Sequence, residues 1–482
     1  MIRLDEQASA RISFNHAIGS SKEVRAEAQS RGKNRAVTTA VEPVVTHEDY
    51  DRARDRARVR AARMRKGPLA KLWLLWLLIG PGILVMLGEN DGPSMLSYAA
   101  TGAKYGIGFF IPFVVLTFAM AIVVQEMTVR LGAATHRGHA ELIFERFGPF
   151  WGAFSMIDLL IGNLLTLITE FIGIRAGLAF FGVPAALGVG LGAAVVILAS
   201  LTGRYWTWER IALGLAILNG LFVPAALLAH PDGAAVGRAL LSWSPTPAGG
   251  LLSGPTLLLL LADIGATVTP WMLFFQQGAV VDKGLQPKDI SLGRGETLLG
   301  MVLAAAFGIA AILASTPLHR HGVTVSGTDF ARALLPYLGR VGSSLIALGL
   351  LEAGLVAAIT ISTSSAYAAG EVLKTGHSLN RSPREAAGFY LALGGSVLLS
   401  AAAVLIPGVP LEFVVLIVNV VAVLAMPPAL ILLVLLSTDR EVMGDQVSGP
   451  WWTGAAVGVT IFLVLAGLLY ALSVLDPGAL HA

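Results

Sequence analysis

The chain contains no cysteine. Disulfides, thiolate metal sites and thiol redox motifs are thereby excluded, and the compartment is left open. Charge is scarce as well. Asp, Glu, Lys and Arg make up 13% of the 482 residues, against about 25% in soluble proteins. So thin a charged fraction cannot cover a water-facing surface. No cleavable leader is expected, because the first 67 residues are polar and lack an apolar core. Enzyme signatures are missing too. There is no phosphate-binding Gly-rich loop with lysine, no His-Glu-x-x-His, and no Ser and His in a suitable context. The expectation is a protein that is not an enzyme. Without an ATP site it must draw on ion gradients or the membrane potential.

What is present is apolar. Hydrophobic residues make up 55% of the chain, and the mean hydropathy is +0.72. Apolar runs of roughly 20 residues recur, the length a helix needs to cross the hydrocarbon core. They do not alternate as the strands of a membrane barrel would. The reading is an all-α polytopic membrane protein whose main partner is the lipid bilayer.

Residues 1–67 form a polar, basic extension, expected to be disordered. Its run from Asp51 to Lys66 reads as a cytoplasmic tail touching anionic headgroups, with no argument for nucleic acid beyond charge. Residues 68–482 form the transmembrane domain. About eleven spans are expected, at 72–100, 106–130, 150–180, 184–202, 209–229, 254–280, 295–316, 340–371, 386–407, 411–436 and 452–475. Loops on the side of the basic tail are richer in Lys and Arg, which agrees with the positive-inside rule. The expected location is the plasma (inner) membrane, N-terminus cytoplasmic. An odd number of spans puts the C-terminus outside.

Two spans differ from the rest. Gly88-Glu89-Asn90-Asp91-Gly92-Pro93-Ser94 interrupts the first, and Thr267-Val268-Thr269-Pro270 the sixth. Proline lacks an amide donor and clashes with the preceding turn, and glycine weakens a helix further. Open backbone at membrane depth is tolerated only where it is buried or lines a cavity. The interruptions are five spans apart, as two inverted five-helix repeats would place them, at about 72–230 and 254–437, with 452–475 as an extra span. Substrate would then be held where the broken helices meet.

Asp91 is the central residue of this reading. A carboxylate inside a span costs roughly 2.5–3.5 kcal/mol on insertion scales and marks an ion path or a paired site. The carbonyl of Gly88 and the hydroxyl of Ser94 stand beside it. The Ala266 carbonyl and Thr269 hydroxyl stand across from it. An acid with hydroxyls and carbonyls is an oxygen cage, suited to hard cations such as magnesium, calcium or manganese. Asp91 also has the position to cap the second half-helix, and the two roles can coexist.

The stretch from Gly80 through Asp91-Gly92-Pro93-Ser94 to Tyr105 resembles the first span of NRAMP metal transporters, whose Asp-Pro-Gly-Asn falls on residues 91–94. The sixth-span signature Gly-Ala-Thr-Val-Met-Pro-His falls on Gly265-Ala266-Thr267-Val268-Thr269-Pro270-Trp271. The tenth span ends in Met426-Pro427-Pro428-Ala429, also like the family. The resemblance implies a LeuT-like fold of two inverted five-helix repeats with spans 1 and 6 broken. It also implies a divalent metal as substrate and no cofactor.

The departures carry information. The family's sixth-span methionine, which favours soft metals, is Thr269, so oxygen replaces sulfur and harder ions are favoured. The family's histidine, tied to proton movement, is Trp271, which cannot titrate. The third-span Asp-Leu-Ala-Glu falls on Leu167-Ile168-Thr169-Glu170, leaving Glu170 as the acid of a residual proton or ion-pair network. The family's tenth-span glutamine near the metal is Asn419. This pattern resembles the NRAMP-related magnesium transporters, which move their ion without proton coupling. The implied function is alternating-access transport of Mg2+ or Mn2+. The alternatives are a proton-coupled NRAMP-type manganese or iron transporter, and a sodium-coupled organic solute transporter of the same fold. A channel or a metal sensor is a further rival.

Glu89, Asn90 and Trp271 are expected around the ligands, and Asp263 toward an external vestibule. Asp158, Glu170, Arg175 and Glu352 are expected to fix helices through intramembrane ion pairs. His136, His139, His319 and His321 are expected in solvated loops. Oligomeric state is left open, a monomer included.

Overall fold

The computed structural model describes residues 80–324 and 329–475, together with Gly67. The basic extension and the start of the first span therefore lie outside the described residues. Among these residues, nine helices are long and apolar enough to cross a membrane, and Ala185–Ser200 is a shorter apolar helix. An interrupted pair, α1 (Pro81–Gly88) and α2 (Gly92–Tyr105), precedes them. These elements account for the eleven spans expected.

The first repeat continues with α3 (Phe110–Thr135), α4 (His139–Phe180) and α5 (Ala185–Ser200). Its fifth span is α6 (Tyr205–Ala216), a 3-10 turn at Ile217–Leu221, and α7 (Phe222–Leu228). A short helix α8 (Gly233–Ser242) links it to the second repeat. That repeat comprises α9 (Gly254–Gly265) and α10 (Pro270–Lys283), then α11 (Ile290–Arg320), α12 (Leu335–Val372), α13 (Ala387–Val404) and α14 (Leu411–Thr438). The extra span is α15 (Pro450–Leu475).

Local chemistry explains the interruptions. Pro81 opens α1 and Gly92-Pro93 opens α2, where a missing amide donor costs nothing. Pro270 opens α10 after extended backbone at Thr269. In α4, Gly148 adopts φ 83°, a conformation that glycine reaches without steric cost, so His139–Phe147 is set off from the membrane part. This turn and the 3-10 segment in the fifth span leave little trace in hydropathy.

Small residues let the central helices approach. A Cβ on Gly92 would lie 3.3 Å from the Cα of Gly173, and one on Gly354 would lie 2.7 Å from the Glu170 carbonyl. α2, α4 and α12 thus touch backbone to backbone, the usual way that helices associate where lipid removes the hydrophobic drive. Large apolar side chains such as Leu198, Leu398 and Leu465 point outward, as a lipid-facing surface requires.

Candidate metal site

The two interruptions meet in the middle of the bundle, and two hydrogen bonds join them. Ser94 Oγ donates to the Ala266 carbonyl at 3.0 Å. Thr269 Oγ1 donates to the Glu89 carboxylate, 3.0 Å from Oε1 and 3.2 Å from Oε2. Acid lies on the first side, at Glu89 and Asp91. The second side offers a hydroxyl and a carbonyl.

Asp91 is 2% exposed. Its Oδ1 accepts from the Ser94 amide at 2.8 Å, so it does cap α2. This amide is one of the orphan donors at a helix start. The cap occupies one lone pair of one oxygen and leaves acceptor capacity for a cation. The carboxyl of Glu170 lies against that of Asp91, and its Oε2 accepts from the Gly92 amide at 3.0 Å. Two carboxyls this close, with water excluded, cannot both stay ionised unless a cation lies between them; otherwise they share a proton.

The other expected residues are distributed around this centre. A Cβ on Gly88 would lie 3.2 Å from the Trp271 ring, so the indole closes that side. Trp271 is 1% exposed, and its carbonyl accepts from Ser364 Oγ at 3.0 Å. Asn90 turns away, its Nδ2 donating to the Ala304 carbonyl at 2.9 Å. Asn419 is buried beside the second interruption, its backbone pressed against Gly265. Its side-chain nitrogen has no partner.

Several expectations are corrected. Asp263 does not open on a vestibule. It is fully buried, accepting from Ser97 Oγ at 2.6 Å and Thr101 Oγ1 at 3.0 Å, which ties α9 to α2. The intramembrane ion pairs are not formed among Asp158, Glu170, Arg175 and Glu352. Glu170 serves the Gly92 amide, Arg175 Nη1 donates to the Val404 carbonyl at 3.0 Å, and both oxygens of Glu352 lack a partner. His139 is buried at the start of α4, with Nδ1 2.7 Å from Gln277 Oε1.

Reading the sequence also missed Met272. Its Sδ lies 3.4 Å from the Thr269 amide nitrogen, which donates to it. Sulfur therefore stands next to the interruption after all, turned onto backbone. The signal was its place three residues past Thr269, on the first turn of α10. Among the described residues, no three His, Cys, Asp or Glu side chains form a ready-made metal cluster. Any cation held here relies on neutral oxygens as well as acid.

A bundle of two five-helix repeats, each opened by a broken helix and joined at the breaks, defines the LeuT-like class of transporter folds. Within that class the chain belongs to the Nramp family, described as natural resistance-associated macrophage protein-like, which matches residues 82–473. A divalent metal cation transporter MntH of Brucella suis biovar 1 is 29% identical over 408 residues, covering 80% of this chain and 86% of that protein. The crystal structure of the Eremococcus coleocola manganese transporter, in complex with an aromatic bis-isothiourea compound, superposes with a TM-score of 0.65. It is 20% identical and covers 85% of this chain and 88% of that one. MhsT in complex with L-phenylalanine shares the fold, with a TM-score of 0.54 at 19% identity, covering 82% of this chain and 98% of that one.

Proposed function

We propose that this protein is a secondary transporter that carries a divalent cation, Mg2+ or Mn2+, by alternating access and without proton coupling. The observation that carries the reading is the meeting of two broken helices around Asp91. Carboxylate stands on one side, and hydroxyl and carbonyl oxygen on the other. Hard divalent cations are held by such oxygen sets. The names of the bacterial relative and of the Eremococcus protein point the same way.

In this reading Asp91 is the charged ligand. Ser94, Thr269 and Asn419 supply neutral oxygens, and Gly88 and Ala266 supply carbonyls. Glu89 holds Thr269 from behind, and Trp271 closes the cage. Both hydroxyls already donate to acceptors, so it is through oxygen lone pairs that they would meet the ion. The protein sits in the plasma membrane with its N-terminus in the cytoplasm and its C-terminus outside. Opening to one side requires the Ser94–Ala266 and Glu89–Thr269 bridges to part. Ion release and helix movement are thereby linked.

Proton coupling through the sixth span has no histidine to use, because Trp271 occupies that position. One observation favours the proton-coupled alternative: the contact of the Glu170 and Asp91 carboxyls, which is suited to sharing a proton. An organic solute with a carboxylate would want free half-helix amides. Asp91 Oδ1 already accepts from one such amide in α2, which counts against that alternative.

The experiment is metal uptake into proteoliposomes with a pH dye trapped in the lumen. The expected result is saturable Mn2+ and Mg2+ uptake with counterflow and no metal-driven acidification. Acidification in step with uptake would overturn the uncoupled reading. Absence of divalent uptake would overturn the substrate.

A further inference from the structure

Glu352 is a buried acid for which transport through the central site has no use. It lies within α12, 3% exposed, and neither carboxylate oxygen has a partner. An ionised carboxylate without a partner in a membrane interior is among the costliest arrangements a protein can hold. Something positive must neutralise it.

Its position across from the fifth span follows from two contacts. A Cβ on Gly342 would meet Leu228, and one on Gly349 would meet Phe222. Numbers rise along α12 as they fall along the fifth span, so the two run antiparallel. Three residues past Gly349 comes Glu352, and three before Phe222 comes Asn219, inside the 3-10 turn Ile217–Leu221. Asn219 is fully buried. Its Nδ2 donates to the Leu87 carbonyl at 3.3 Å, and its Oδ1 has no partner. The unspent atoms of both residues are acceptors, two carboxylate oxygens and one amide oxygen. Their chemistry calls for a cation.

Of the cations on other helices packed against α12, Arg210 of α6 pairs with Glu209 at 2.9 Å and Lys283 of α10 pairs with the same acid at 3.2 Å. Residues 185–200, 217–228 and 387–404 contain no Asp, Glu, His, Lys or Arg. On α4, Glu170 is held by Gly92 and Arg175 by Val404, while Asp158 lies about three helical turns from Glu170. A single negative charge matches a single positive one.

We infer that Glu352 and Asn219 form a second cation site, for a monovalent ion, either a proton or an alkali ion such as sodium. The site touches the transport pathway through Asn219, whose amide holds the carbonyl of Leu87 next to the first interruption. Filling it removes the charge penalty at the α12–fifth span contact and steadies the 3-10 turn that grips α1. A 3-10 stretch inside a helix is a common hinge. Occupancy therefore biases the movement of α1. This last consequence rests on the transport reading, whereas binding at Glu352 does not.

The test uses the purified full chain and the variants Glu352→Gln and Asn219→Ala. Radiolabelled sodium binding is measured by scintillation proximity. Infrared difference spectra between acidic and alkaline buffer report a protonated carboxyl. Saturable sodium binding that Glu352→Gln abolishes supports the site with an alkali ion. No sodium binding, but a pH-dependent carboxylic acid band that Glu352→Gln lacks, supports it with a proton. Neither signal in the wild type, or either signal unchanged in Glu352→Gln, overturns the inference. Asn219→Ala keeps the acid and should weaken the same signal, which guards against a Glu352→Gln chain that does not fold. Mn2+ calorimetry on each protein separates the two proposals. A wild type that binds no Mn2+ sinks the transport reading and leaves the second site standing.

Discussion

The two interruptions are built from opposite chemistry. The first carries Glu89 and Asp91 and ends in a side-chain cap, with Asp91 holding the Ser94 amide. The second carries no acid between Ala266 and Thr269. Its threonine gives its hydroxyl away to Glu89. Charge thus belongs to the first interruption and neutral oxygen to the second. In the proposed reading, a cation that binds both would draw the repeats together, with the acid setting how strongly and the neutral side which ion is preferred.

The harshest way to break this comparison is to remove the charge from the first interruption. Asp91→Asn should lower Mn2+ affinity by calorimetry at least about thirtyfold, since removing one partner of a buried charge contact costs about 2 kcal/mol or more. Uptake should fall below detection. Unchanged uptake would end the proposal that Asp91 is the ligand.

Glu89→Gln tests the bridge rather than the ligand. A charge-assisted hydrogen bond becomes a neutral one, and affinity should fall about tenfold. A drop as deep as that of Asp91→Asn would instead make Glu89 a direct ligand.

Gly354→Ala probes the scaffold that brings the sides together. The new methyl would press on the Glu170 carbonyl and cost about 1–3 kcal/mol of overpacking. The thermal midpoint in detergent should fall, while Mn2+ affinity in the remaining folded protein stays close to wild type.

The subtlest change is to the neutral side. Thr269→Met restores a thioether and should raise cadmium uptake relative to magnesium, with little effect on stability. An unchanged ratio would mean that position 269 does not face the ion.

Much of this arrangement was legible before any coordinates. Apolar runs of span length announce themselves, and proline with glycine inside them announces a broken helix. Asp91 stood out because acid is rare at that depth. The Gly148 turn and the 3-10 segment did not stand out, since hydropathy is blind to backbone torsion. Asp263 was misplaced because nothing local reveals that Ser97 and Thr101 receive it. Glu352 was expected in an ion pair because acid in a span generally finds a base, and here no base pairs with it.

Length, hydropathy and residue type by themselves determined a membrane bundle with two interrupted spans and an acid at the first. Local rules of solvation and helix chemistry act over a few residues, and the order of residues is enough to apply them. Which oxygen meets which was decided by tertiary structure alone. Ser94 reaches Ala266 across 172 positions of chain, and Thr269 reaches Glu89 across 180. Contacts at such separation depend on how whole helices pack, a property that no short segment encodes.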